Sequence, residues 1–132
     1  MKTDVYDIVI LTTAVTRPEL HTTVFPEMIK TLEGLYCKWI INIDELPGHS
    51  ITDTTANLNK AFTGTGIDVE FLHTNSTGGT GPSFFNSVKN LMTVGIKYKP
   101  KLGFYWLEDD WLPTHQFKIK SLFDNIDHTR EN

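Results

Sequence analysis

A single cysteine, Cys37, excludes an internal disulfide and argues for a reducing compartment. Positive charge is also scarce. The 12 Lys and Arg are outnumbered by 16 Asp and Glu, giving a net charge of −4, and they form no basic stripe. This speaks against nucleic acid as a partner. No apolar run approaches the ~20 residues that a membrane helix needs, so no membrane span is expected. Asp4 and Asp7 follow closely behind Lys2, so the N-terminus does not read as a signal peptide. Asn75-Ser76-Thr77 fits a glycosylation sequon, but nothing else suggests secretion, and a cytoplasmic location is expected. Internal repeats, linkers and low-complexity tracts are missing, so residues 1–132 read as one domain. Two common phosphate-binding devices are missing too. Neither G-x-x-x-x-G-K-[ST] nor G-x-G-x-x-G follows the first strand-like segment, which excludes a Walker-type NTPase and disfavours a dinucleotide site.

What the chain has in quantity is apolar and aromatic surface: 39% of residues are apolar, with 8 Phe, 4 Tyr and 3 Trp. The most informative stretch is Phe104-Tyr105-Trp106-Leu107-Glu108-Asp109-Asp110-Trp111. Its first half reads as a strand buried on both faces, Phe104 included. The strand should stop where the carboxylates begin, because an unpaired carboxylate costs several kcal/mol to bury. Glu108, Asp109 and Asp110 then stand at a strand's carboxyl end, the edge where open α/β sheets bind ligands. Carboxylates there are hard oxygen donors suited to Mg²⁺ or Mn²⁺.

Three other strand-like segments precede this one: Asp7 to Ala14, Lys38 to Asp44 and Ile67 to His73. The four starts lie roughly 30 to 35 residues apart, the length of a strand, a crossover helix and two loops. Helical patterns fill the gaps. Thr16-Arg17-Pro18-Glu19 reads as a capping box, and Leu20, Val24, Met28 and Leu32 follow at every fourth residue. Pro26 predicts a kink or late start. A second helix is expected over Thr52 to Phe62. A third starts at Pro82, with Phe85, Val88, Met92 and Ile96 as its core stripe. A fourth, short helix is expected from Thr114 to Ile126. Regular alternation of strand and helix implies an α/β fold, a mostly parallel sheet with helices on both faces. All strand carboxyl ends then share one side, as do the helix N-termini that attract anions. A glycine-rich stretch, Thr77-Gly78-Gly79-Thr80-Gly81, lies on that side before the third helix.

In their order and spacing these pieces resemble the nucleotide-binding core of GT-A fold glycosyltransferases. Members of that family open with a strand and a polar turn before Arg-Pro-Glu, here Thr12 to Glu19. Their second strand ends in an acidic residue, the position of Asp44 or Glu45. A Gly-Gly-x-Gly-x-Ser-x-x-Asn segment precedes the fourth strand, matched by Gly78 to Asn86. That strand ends in an Asp-x-Asp motif, here Glu108-Asp109-Asp110. The likeness covers nearly the whole chain and departs from the pattern in having Glu108 at the first motif position. About twenty residues follow the motif, where family members usually continue with an acceptor-binding region. In this respect the chain is similar to minimal, phage-type members, for which the location would be a host cytoplasm.

The resemblance implies a Rossmann-like core that binds a nucleotide-sugar, most readily UDP-linked, with Mn²⁺ or Mg²⁺, and transfers the sugar to an acceptor that the sequence does not identify. Asp110 is the implied metal ligand. Glu108 is implied to touch the ribose, or the metal through water, and Asp109 the donor sugar. Thr12, Thr13, Ala14, Asp44 and Glu45 would line the nucleoside pocket, Arg17 would reach the diphosphate, and Asn86 the sugar. His115 is a candidate late metal ligand, and no catalytic base is assigned. His21, His49, His73 and His128 show no ligand spacing. The rival reading is a non-catalytic nucleotide-sugar-binding module, or a domain whose acceptor site comes from a partner chain or another subunit of a homo-oligomer. A nucleotidyltransferase ranks below both, since the basic glycine-rich loop after its first strand is missing here.

Overall fold

The β-branched runs Ile8-Val9-Ile10 and Ile40-Ile41 form the two central strands, as residues that pack well on a pleated, buried surface should. In the computed structural model, which describes residues 5–46, 48–75, 81–113 and 118–122, the order is β1 (Ile8–Val15), α1 (Pro18–Lys30), β2 (Cys37–Glu45), α2 (Ile51–Phe62), β3 (Asp68–Asn75), α3 (Gly81–Gly95) and β4 (Gly103–Trp106). The four strands form one all-parallel sheet in the order β3-β2-β1-β4. The chain steps outward from β1 to β3 with α1 and α2 on one face. It then crosses back beneath the sheet to β4 with α3 on the other. Crossovers of one hand require this change of face when the direction reverses.

Alternation along the strands splits the core in two. Ile8, Ile10, Trp39, Ile41 and Ile43 pack with Val24, Met28, Leu58 and Phe62 of α1 and α2. Trp39 anchors this side, its ring 5.4 Å from that of Phe25 and 5.1 Å from that of Phe62. Val9, Leu11 and Ile40 form a smaller core with Leu91 on the α3 side.

Four expectations are corrected. The capping box does not form. Arg17 is the N-cap residue without a side-chain cap bond, and the buried Thr16 hydroxyl instead accepts the Leu46 N–H at 3.1 Å, tying the loop after β2 to the start of α1. The late start at Pro26 does not occur, since α1 begins at Pro18 and runs to Lys30 with Phe25 and Met28 buried on either side of Pro26. In α3 the apolar stripe faces outward: Phe85 is 68%, Met92 52% and Ile96 75% exposed, while Ser87 and Leu91 are buried. The sheet explains this. Asn42 and Thr74 project from it beneath α3, and Ser87 and Asn90 are turned in to meet them. Lastly, Phe104 is 50% exposed, because β4 is an edge strand. Of the fourth expected helix, residues 119–122 are helical. Ile119 is buried, with its N–H on the Thr31 carbonyl at 2.8 Å. Lys118 is not helical, and residues 114–117 and 123–126 lie outside the described residues.

Candidate functional site at the carboxyl edge

Because β2 and β3 lie on one side of β1 and β4 on the other, the strand order reverses between β1 and β4. A crevice opens at such a switch point, outside the carboxyl ends of the two strands. The polar turn after β1 and the acidic triplet after β4 meet there. The Thr13 hydroxyl donates to Glu108, 3.0 Å from Oε1 and 3.1 Å from Oε2. The Trp106 indole N–H also donates to Glu108. Glu108 is thus fastened to both strands that border the crevice.

Asp109 points the other way, under α1, and is 3% exposed. It accepts the Val15 N–H at 3.1 Å, Arg17 Nε at 3.3 Å, Arg17 Nη2 at 2.7 Å and His21 Nε2 at 2.8 Å. Burial by itself would raise the Asp109 carboxyl. The hydrogen bonds from His21, Arg17 and the Val15 N–H, together with the Arg17 charge, outweigh burial and hold it below the usual carboxylate range. The same contact raises Arg17 above its ordinary value, against the opposing effect of its own desolvation. With His21 Nε2 directed at a carboxylate, its Nδ1 is left buried without a partner among the described residues. Asp110 closes the turn half-exposed, 3.8 Å from Arg17 Nη2. Trp111 N–H donates back to the Glu108 carbonyl at 3.3 Å.

A second polar group lies across the α3 face. Asp44 accepts the Thr74 hydroxyl at 2.9 Å, and that hydroxyl oxygen accepts from Asn42 Nδ2 at 3.0 Å and lies 3.2 Å from Ser87 Oγ. Asn90 Nδ2 donates to Asn42 Oδ1 at 3.2 Å. Thr13 and Asp44 therefore open toward α3, on the same side of the sheet as Glu108.

Other expected site residues are placed elsewhere. Thr12 and Ala14 share the opposite face, because side chains alternate along β1. Thr12 is buried and accepts the Trp39 indole N–H at 2.7 Å, and Ala14 is core. Neither lines the crevice. Glu45 accepts the Ile51 N–H at 3.3 Å at the start of α2, where Ser50 also caps Asp53, so Glu45 serves the helix end. Asp109 cannot face a donor sugar, being buried with its oxygens already bonded. Arg17 reaches Asp109 and not an open anion site. Asn86 is exposed on α3, while its neighbour Ser87 makes the contact to the sheet. His115 and most of the glycine-rich stretch lie outside the described residues.

His21 has no ligand spacing in the sequence, yet it is central to the acidic turn. The available signal is that it lies one helical turn after Arg17, so both reach the same carboxylate. Among the described residues no three of His, Cys, Asp and Glu are grouped to hold a metal unaided. Glu108 and Asp110 offer two hard donors beside the crevice, a set that fits a divalent cation whose remaining ligands are phosphate oxygens and water. A wide groove of about 660 Å³ lies at the amino end of the sheet, between Lys30 of α1 and Ile67, and touches none of these residues. No protein-family model, curated protein or solved structure matches the chain.

Proposed function

We propose that the chain is a GT-A-like, Rossmann-type donor-binding domain of a metal-dependent glycosyltransferase, taking a nucleotide-diphosphate sugar, with UDP the favoured nucleotide. The observation that carries this reading is the hydrogen bond between Thr13 and Glu108 at the switch point between β1 and β4, with the half-exposed Asp110 two residues on in the same turn and Asp44 further along the α3 side. Thr13 and Asp44 supply a hydroxyl and a carboxylate to hydrogen-bond a nucleoside. Glu108 and Asp110 would hold Mn²⁺ or Mg²⁺ against the diphosphate. When bound, the cation offsets charge that builds on the leaving diphosphate. Arg17 contributes charge at longer range, since its Nε and Nη2 are committed to Asp109. The Asp109 hub fixes the turn that presents its two neighbours, so the donors are oriented before ligand arrives.

The test is thermal melting with UDP-sugars, with and without Mn²⁺. Ligand at about ten times its dissociation constant should add about 1.4 kcal/mol and raise the midpoint by a few degrees. Asp110→Ala should remove the metal-dependent part. Equal shifts with and without metal would sink the metal role.

One observation favours a second reading, a nucleotide-sugar-binding module whose acceptor site comes from another chain. Among the described carboxylates at this edge, Glu108, Asp109, Asp44 and Glu45 are all hydrogen-bonded within the fold. Of the strand-end carboxylates Asp110 remains, and it is the proposed metal ligand, so none of them is left over as a general base. The assay is UDP release from purified protein. Slow release in water, speeded by an acceptor, fits the enzyme. Tight binding with no release under any condition fits the module.

A further inference from the structure

We propose that two copies of this chain pair through β4, about a two-fold axis perpendicular to the sheet. The two edges of the sheet differ. Edge strand β3 carries Asp68, Glu70 and His73, charged and polar residues of the kind that discourage strand addition. Edge strand β4, Gly103-Phe104-Tyr105-Trp106, has neither charge nor proline. Beside it lies the outward face of α3, whose Met92 and Gly95, with Ile96 just after the helix, line an apolar hollow of about 310 Å³ with Leu11, Phe104, Tyr105 and Trp106. Together with Phe84, Phe85 and Leu102, which are also exposed, the apolar side chains on and around α3 and β4 present on the order of 700 Å² to solvent. A standard interface takes ~800 Å² from each partner, so the face is of the size a stable dimer requires.

The described residues after β4 do not cover it. They turn to the opposite face, where Leu112 and Pro113 share a groove with Met28 and Thr31, and Ile119 bonds the Thr31 carbonyl.

Backbone direction and charge select a second copy as the occupant. Leu107 turns its N–H to Leu11 of β1 at 3.0 Å. In a parallel pair alternate residues face the neighbour, so Phe104 and Trp106 turn their N–H and C=O groups outward. Antiparallel pairing centred on Tyr105 sets Phe104 of one copy opposite Trp106 of the other and satisfies these groups reciprocally. The axis keeps both α3 helices on one side, where Met92, Ile96 and Phe104 of the two copies meet. The sequence around β4 is basic before it (Lys97, Lys99, Lys101) and acidic after it (Glu108, Asp110). Antiparallel pairing therefore brings Lys101 of each copy alongside the acidic turn of the other, whereas parallel pairing would set like charges together. The inference rests on the edge and its flanking charges and does not depend on the nucleotide-sugar reading.

Sedimentation velocity on the full chain across micromolar concentrations tests it. The expected species has twice the 15.0 kDa mass of one chain. Ile96→Lys and Phe104→Lys, both at exposed positions, should each give the single-chain mass with an unchanged circular dichroism spectrum. Lys101→Glu should weaken pairing about tenfold, and adding Asp110→Lys should restore it. A single-chain mass for the unmodified protein at every concentration would overturn the proposal. So would a dimer that survives both Ile96→Lys and Phe104→Lys, or an open-ended assembly, which a closed two-fold contact forbids.

Discussion

Two adjacent carboxylates should respond very differently to the same substitution. Asp109→Ala removes the acceptor shared by Arg17, His21 and the Val15 N–H. Deleting one partner of a buried pair costs about 3–5 kcal/mol, because the other partner stays behind uncompensated. The Arg17 side chain is 38% exposed, so water screens part of its charge and the lower end, about 3 kcal/mol, is expected. Most of the loss then comes from His21 and the Val15 N–H, left buried without an acceptor. In a domain of this size each kcal/mol moves the melting midpoint by roughly 3–5 °C, so a drop of about 10–15 °C is expected at pH 7. Asp110→Ala should move it little, within about ±0.5 kcal/mol, since that side chain is half-exposed and 3.8 Å from its nearest cation. The loss should also depend on pH. The Asp109 carboxyl is lowered on folding. A lowered carboxyl stabilises the fold fully above the titration of the unfolded group, near pH ~3.9, and that stability is lost as pH falls through the folded value. The gap between the native protein and Asp109→Ala should therefore be full at pH 7 and shrink below about pH 4. Thermal and urea denaturation at several pH values measures both effects. An Asp109→Ala protein within about 1 kcal/mol of native at pH 7, or a gap that widens in acid, would refute the buried-hub account.

Two further outcomes are expected. Trp39→Phe should cost about 1–3 kcal/mol in urea denaturation, because it strips the buried Thr12 hydroxyl of its 2.7 Å donor; a loss below about 0.5 kcal/mol would mean the bond contributes nothing net. Cys37 is buried at the start of β2, and burial followed by the nearby Asp7 pushes its thiol up to about 12, so it should resist thiol reagents at pH 8 until the protein is unfolded, and rapid labelling of the native state would contradict this.

The sheet is legible in the sequence because β1, β2 and β4 each hold a contiguous apolar run and each crossover, β3 included, has the usual length. The orientation of α3 is not. Phe85, Met92 and Ile96 make the stronger apolar stripe, and only polar residues on two strands, Asn42 of β2 and Thr74 of β3, reveal that Ser87 and Asn90 must face inward. At the site, residue types are legible and directions are not. Thr12, Thr13 and Ala14 are consecutive, yet period-two alternation leaves Thr13 alone facing Glu108. Three consecutive carboxylates look equivalent until a turn, Arg17 at the start of α1 and His21 within it draw the middle one inside.

That inward carboxylate also bears on descent. Asp109 lies about ninety residues along the chain from Arg17 and His21, yet exchanging it alone strands His21 in the interior and leaves Arg17 without its partner. Lineages that keep this fold should retain the three as a set or replace them as a set, by apolar side chains of matching volume. Asp110, half-exposed and 3.8 Å from Arg17, is under no such constraint and can change alone, whereas Glu108 is tied to Thr13 and Trp106 and should change together with them.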